Sequence, residues 1–314
     1  MKQRALGHTG LNIPPVVFGG NVFGWTLDET QSFKMLDACF DNGLTAIDTA
    51  DVYSRWVPGN SGGESETLIG NWLASNPGKR DKMQIFTKVG MDMGDGNTGL
   101  SPRWIREAVE ASLSRLKTDY IDLYFSHRFD PETPQEDTLG VYKELLDEGK
   151  IRSIGASNFD EHQIEDALKI ATEHDLPRYQ VLQPEYSLVS RGTFEGPLQR
   201  FCVEHDLGVV TYFSLASGFL SGKYRSRDDL DGASRGGMVE KYFDNGGDQV
   251  LKALEEVASG KDATMAEIAI AWLLHREGVT APIASATKQD HLDSLVKAAE
   301  LTLSEDEIKT LEVY

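Results

Sequence analysis

The chain reads as one (β/α)8 barrel spanning residues 1–314, opened by a β-hairpin and carrying a long loop excursion after the seventh strand. Two observations predict this. Short apolar runs rich in β-branched and aromatic residues alternate with helical patterns along nearly the whole sequence, the signature of parallel strands joined by helices. Eight such strand–helix units fit 314 residues, with no linker or low-complexity segment to divide them, which favours a barrel over two Rossmann halves.

QRALGHTGLNIP is the hairpin, and the strand candidates after it are PVVFG, TAIDT, MQIFTK, YIDLYFS, IRSIGAS, YQVLQ, GVVTYF and TAPIAS. Between them lie helices such as ETQSFKMLDACFDNG and SPRWIREAVEASLSRLK. In the second, Ser101 is placed to cap and Pro102 to start the helix. Ile105, Ala108, Val109, Ser112, Leu113 and Leu116 form its apolar stripe. Gly43 and Gly149, each between a helix and a strand, fit left-handed helix terminators. The segment from Ser221 to Asp248 is too long for an ordinary barrel loop; it fits either a lid over one face or a surface loop without function.

Composition narrows the classes. A formal net charge of −19 disfavours nucleic acid and anionic membrane as partners, since no basic stripe appears. No run reaches the roughly 20 apolar residues of a membrane span, and MKQRALGHTG lacks the apolar core of a secretory signal. Cys39 and Cys202 sit in helix-like segments as expected of buried thiols, so a cytoplasmic location without disulfides is expected. Gly94, Gly96 and Gly99 spell G-x-G-x-x-G, but the motif is rejected as a dinucleotide fingerprint. Val89 to Met93 separate it from Lys88, Asp95 would face the pyrophosphate, and the helix starts only at Ser101–Pro102. The Y-x-x-x-K pairing of short-chain dehydrogenases is absent.

Four polar residues at the ends of apolar runs carry the chemistry. Asp48 and Tyr53 lie in TAIDTADVY, Lys88 in MQIFTKVG, and His127 closes YIDLYFSH. In a barrel, C-terminal strand ends converge on one face, where catalytic residues sit. A phenol titrates near pH 10, and a neighbouring ammonium is expected to lower that value. Asp48 would hold Lys88 charged, and His127 would orient a carbonyl near Tyr53. The set suits proton delivery to a carbonyl oxygen while hydride reaches the carbon. Singly, each residue has an ordinary explanation: a capping Asp, a core His, a snorkelling Lys. Their conjunction at successive strand ends favours the active site. No cluster of His, Cys or several carboxylates suggests a metal, and a metal-dependent barrel isomerase is correspondingly disfavoured.

IDTADVY, FTKVG, HRFD, GASNF, LQPEYSLVSR and YFSLASGFLSGKY resemble the aldo-keto reductases, in the branch near bacterial reductases and potassium-channel β-subunits. The likeness runs from LGHTGL to the helix after SATKQD. It implies reduction of an aldehyde or ketone with a nicotinamide cofactor, NADP(H) preferred and NAD(H) possible. By that resemblance Asp48, Tyr53, Lys88 and His127 form the catalytic tetrad. Ser157, Asn158 and Gln183 match the groups that bond the nicotinamide carboxamide, and Tyr212 the ring on which nicotinamide stacks. Ser157–Asn158 also fit a cap for the helix that follows, and the two roles are compatible.

The rest of the implied cofactor path takes in Gly20, Asn21, Val22, Asp48 and the segment Phe213, Ser214, Leu215, Ala216, Ser217 and Gly218, with Lys223 close by. Small residues there admit a pyrophosphate to the backbone. Ser285, Thr287 and Lys288 open a helix whose N-terminus favours an anion. The sequence departs from the family late in that helix: Ser294 and Leu295 replace a common Glu-Asn pair, and His291 stands at an Arg or Gln site. Substrate walls are expected from Phe23, Trp25, Trp56, Val57, His127, Arg128 and the loop Met91 to Gly99. Trp25 and Trp56 also fit ordinary packing, while Arg128 suits an anionic substrate that the acidic surface would repel. The rival function is a cofactor-sensing regulatory subunit similar to the channel β-subunits.

Overall fold

The computed structural model describes residues 1–232 and 236–313. Strands β1 (Arg4–Ala5) and β2 (Asn12–Ile13) pair as the antiparallel hairpin. Strands β3 (Val17–Gly19), β4 (Ala46–Asp48), β5 (Gln84–Val89), β6 (Leu123–Ser126), β7 (Ile154–Ser157), β8 (Val181–Gln183), β9 (Gly208–Thr211) and β10 (Ala281–Ala284) then pair in parallel and in chain order. The ring closes where Ile283 of β10 lies opposite Val17 of β3. Helices α1 (Glu29–Asp41), α2 (Glu64–Ser75), α3 (Pro102–Leu116), α4 (Gln135–Asp147), α5 (Glu161–Glu173) and α6 (Pro197–Glu204) each connect two strands. Three more, α7 (Gly236–Asp244), α8 (Gly247–Lys261) and α9 (Met265–Leu274), lie between β9 and β10, and α10 (Gln289–Ala298) and α11 (Glu305–Leu311) end the chain. Among the described residues no helix is long and apolar enough to cross a membrane.

Local chemistry fixes these boundaries. Ser101 accepts the Trp104 N–H as the cap of α3, Pro102 opens that helix, and the whole predicted stripe is buried. Asp28, Asp160, Thr264 and Ser304 each form a capping box at a helix start. Gly43 (φ 76°) and Gly149 (φ 74°) are left-handed, as the end of a helix before a strand requires. Cys39 and Cys202 are both buried.

Val17, Ala46, Phe86, Phe125, Val181, Val210 and Ile283 fill the barrel, and Leu6 and Ile13 of the hairpin join this cluster. The hairpin closes the N-terminal end of the barrel, because Gly7 abuts the backbone at Gln180 and Gly208, where β8 and β9 begin. The opposite end is left for chemistry. Strand side chains alternate, so a residue two beyond an interior apolar one points the same way. Asp48 follows Ala46, Lys88 follows Phe86, His127 follows Phe125, Gln183 follows Val181 and Tyr212 follows Val210.

The segment from Ser221 to Asp248 is less irregular than the sequence suggests. A 3-10 turn covers Arg227–Leu230, and α7 and the start of α8 follow it, residues 233–235 lying outside the described residues. Val239 and Tyr242 are buried, and Tyr242 and Phe243 pack on Phe219. Arg227 pairs with Glu240 and Asp244 across the turn. The glycines and charges that suggested a loop surround a helix too short for its pattern to stand out.

Gly155 on β7 tests the interior packing. A Cβ there would come within 2.4 Å of the Phe125 ring. Gly155→Ala is expected to destabilise the fold by about 1–3 kcal/mol through overpacking, read by denaturant unfolding. Unchanged stability would mean that the interior is looser than described.

Candidate active site

At the C-terminal end of the barrel the Lys88 ammonium is completely buried and surrounded by oxygen. It donates to Asp48 Oδ2 at 2.7 Å, to the Thr49 carbonyl at 2.8 Å and to the Tyr53 hydroxyl at 3.0 Å, which uses all its N–H groups. The Tyr53 hydroxyl donates to the same Asp48 oxygen at 3.2 Å. The imidazole of His127 stands edge-on to the Tyr53 ring, centroids 6.2 Å apart. All four residues singled out in the sequence therefore meet. Thr49 was missed because its contribution is a backbone carbonyl, which residue type does not reveal.

Burial governs protonation here. It pushes the Tyr53 phenol well above its ordinary value, and Asp48 pushes it further. The expectation that Lys88 lowers the Tyr53 pKa is thus corrected: burial, then Asp48, raises it instead. Tyr53 is a neutral phenol holding its proton. Burial also lowers the Lys88 pKa, against the opposing pull of Asp48. His127 falls well below its usual range through burial and then the charges of Lys88 and Arg128, so the imidazole is neutral. Its Nδ1 is buried without a hydrogen-bond partner.

The residues matched to a nicotinamide pocket adjoin this cluster. Gln183 donates from Nε2 to Asp48 Oδ1 at 2.9 Å. Asn158, left-handed at φ 57°, donates to the His127 carbonyl at 2.9 Å and to Ser157 Oγ at 3.1 Å. Its Oδ1 accepts from the Tyr212 hydroxyl at 2.6 Å. The helix cap after them is Asp160, so capping is not the role of Ser157–Asn158. Farther along, Phe213, Ala216, Ser217 and Gly218 have positive φ, and Ser214 is buried with its hydroxyl on the Thr211 carbonyl. A Cβ on Gly218 would lie 2.9 Å from the Lys223 ammonium, so that cation rests over the turn, with Leu215 half-buried beside it. Lys223 and Lys288 both depress the proton affinity of His291, after burial, so these three groups share one region at the start of α10, with Thr287 just before it. Ser285 is occupied, donating toward the Gly19 carbonyl and Asn21 Oδ1. Gly20 is buried, and the Val22 side chain is turned into the core, which leaves Val22 only its backbone for a ligand.

The Aldo/keto reductase family matches residues 15–313. The chain belongs to this family. Among its relatives, an uncharacterized 11.2 kDa protein from the crtE 3' region of Pseudescherichia vulneris is 67% identical over 93 residues, 30% of this chain and 90% of that protein. The uncharacterized oxidoreductase YrpG of Bacillus subtilis is 32% identical over 321 residues, 99% of this chain and 95% of its own. A probable voltage-gated potassium channel subunit beta of Arabidopsis thaliana is 31% identical over 310 residues, 96% of this chain and 92% of its own. Membership implies an oxidoreductase that reduces carbonyls with NAD(P)H.

The rim of this aldo/keto reductase departs from expectation at one wall. Phe23 is fully buried and stacked on Phe18, so it supports the rim from below and is not a substrate wall. Trp56 is exposed and meets both Tyr53 and Trp25 edge-on. Val57 is half-buried, and Arg128 is exposed beside His127. The glycine-rich loop is anchored on both sides: Arg55 donates to the Asp92 carbonyl at 2.6 Å, and Asp130 accepts from the Leu100 N–H at 2.7 Å. Gly94, Gly96 and Gly99 all have positive φ, and α3 begins only after them, as the rejection of the dinucleotide motif requires.

Behind Lys88 lies a second buried polar group that sequence reasoning passed over. Asp51, in the same run as Asp48 and Tyr53, is 1% exposed, and neither carboxyl oxygen has a hydrogen-bond partner. The nearby Glu66 carboxylate is already held by Arg115 and Thr87. Burial, then Glu66, raises the Asp51 pKa well above the carboxylate range, against the charges of Arg115 and Lys88. An acid whose folded pKa is raised loses folding stability as pH climbs from its unfolded value, about 3.9, toward the folded one. Asp51→Asn removes that penalty. Its melting temperature is expected to exceed wild type, by more at pH 8 than at pH 5. An equal difference at both pH values would show that Asp51 is ionised in the fold.

Proposed function

We propose that the protein reduces an aldehyde or ketone to the alcohol with NADPH, Tyr53 supplying the proton. The observation that carries this reading is the Lys88 ammonium 3.0 Å from a neutral Tyr53 hydroxyl at the open end of the barrel. The chain's own residues fit a dinucleotide. Gln183 keeps its amide oxygen available beside Asp48, and Lys223 rests over the left-handed turn at Gly218. Lys288 stands at the N-cap position of α10, whose N-terminus favours an anion. When bound, NADPH supplies the hydride.

The protein supplies the proton and its geometry. A carbonyl that becomes an alkoxide is far more basic than a phenolate, so a phenol with a high pKa still delivers its proton. The charge left on Tyr53 oxygen forms at hydrogen-bond distance from Lys88, whose ammonium stabilises it in a water-poor site. With Nδ1 buried and unpartnered, the proton of neutral His127 belongs on Nε2, from which it can hold the carbonyl oxygen. Trp25, Trp56 and the loop from Met91 to Gly99 would shape the approach. A regulatory role like that of a channel β-subunit has no observation of its own beyond likeness to such relatives.

Tyr53→Phe removes the proton donor and keeps the ring. Turnover is expected to fall by about 10²–10⁴ while NADPH affinity, measured by fluorescence titration, changes little. A variant that keeps most of its carbonyl reduction would exclude Tyr53 as the acid.

NADPH should be preferred over NADH by about tenfold to a few hundredfold, from one charge-assisted contact and a helix N-terminus. Lys288→Ala is expected to narrow that gap by weakening NADPH alone. His291→Arg should widen it, since burial and then the neighbouring lysines keep His291 short of a proton, whereas arginine is always charged. Equal effects on both cofactors would remove Lys288 and His291 from 2′-phosphate recognition.

A further inference from the structure

Strands β4 and β8 lie on opposite sides of the ring, yet Gln183 and Asp48 at their ends are joined by a 2.9 Å hydrogen bond. Both side chains are 2% exposed. The bond crosses the mouth of the barrel. Asp48 divides its two oxygens: Oδ2 serves Lys88 and Tyr53, and Oδ1 serves Gln183. An ionised carboxylate only accepts, so the Gln183 amide has one orientation, Nε2 toward Asp48 and Oε1 away from it. The base of this strap is also held, since the Gln183 carbonyl accepts from Ser157 Oγ at 3.0 Å.

We propose that Gln183 is a positioning residue for proton transfer: through Oδ1 of Asp48 it sets how strongly that carboxylate resists negative charge on Tyr53. This rests on the reading of Tyr53 as proton donor. When the proton leaves, charge gathers on the Tyr53 oxygen, 3.2 Å from Asp48 Oδ2. Every donor to Asp48 withdraws charge from that carboxylate and eases the repulsion. Gln183 supplies such a donor from the far wall, on the same side chain whose oxygen is turned away from Asp48. A ligand N–H on Oε1 polarises the amide and strengthens its bond to Asp48. Cofactor occupancy and the acidity of Tyr53 are thereby coupled through one amide.

The test uses the cofactor-free full-length protein with 3,5-difluorotyrosine at position 53, a more acidic phenol whose titration is followed by fluorine NMR. Gln183→Met keeps the side-chain length and removes the donor. It is expected to raise the fluorophenol midpoint by about half a pH unit or more, by the usual effect of losing a hydrogen bond to a neighbouring charge. In single turnovers at saturating NADPH, the natural-tyrosine form should show its alkaline limb displaced in the same direction. Gln183→Glu supplies a second variant. While protonated, its carboxyl can donate to Asp48 and should reproduce wild type; once ionised, it should raise the midpoint beyond Gln183→Met. If both variants weaken NADPH binding yet leave the fluorophenol midpoint where wild type has it, Gln183 is a cofactor contact only and the proposal falls. Absence of carbonyl reduction in the wild-type protein would overturn the function proposed above, but the cofactor-free titration would still decide the role of Gln183.

Discussion

A single ammonium, fully enclosed at the top of β5, organises the open end of this barrel. Burying a charge is costly unless it is paired and hydrogen-bonded. Lys88 meets that demand with a carboxylate, a carbonyl and a phenol. Each comes from the segment around β4, so the pairing of β4 with β5 and the placement of the site are one constraint. Phe86, two residues earlier, fixes the direction in which Lys88 points by filling the barrel below it.

The same burial determines which groups carry charge. Asp48 and Lys88 form an ion pair, whereas Tyr53 and His127 are neutral although both are titratable. Neutral donors suit the proposed reaction, since the reacting carbonyl group is uncharged and charge gathers on its oxygen only as hydride is transferred. Asp51 marks the limit of this economy. It lies near Glu66, an acid already matched to Arg115, and no hydrogen-bond donor reaches its own carboxyl.

Much of this was legible in the sequence because it follows from period and position. The eight strands and the convergence of Asp48, Tyr53, Lys88 and His127 rest on short apolar runs and their ends, and the Ser101–Pro102 helix start on capping chemistry. What escaped depends on contacts across the fold. Residue type does not say that Thr49 would offer its carbonyl, or that Gln183 would reach Asp48 across 135 residues. The buried state of Phe23 was hidden because an aromatic near the site fits a wall or a floor equally well until Phe18 is seen against it. The lowering of the Tyr53 pKa failed because a neighbouring cation was weighed without burial, which raises the value most, or the Asp48 carboxylate, which raises it further.

The rim has a different basis from the centre. Its loop is tied by Arg55 to the Asp92 carbonyl and by Asp130 to the Leu100 N–H, and neither tie touches Asp48, Lys88 or Gln183. Residues from Gly94 to Thr98, beyond the Asp92 anchor and the core-packed Met93, can therefore be exchanged with little mechanical penalty at the centre. For a designer, that stretch is a replaceable cartridge: new loops grafted between the same two anchors would alter which molecules enter while the proton-handling machinery stays as it is.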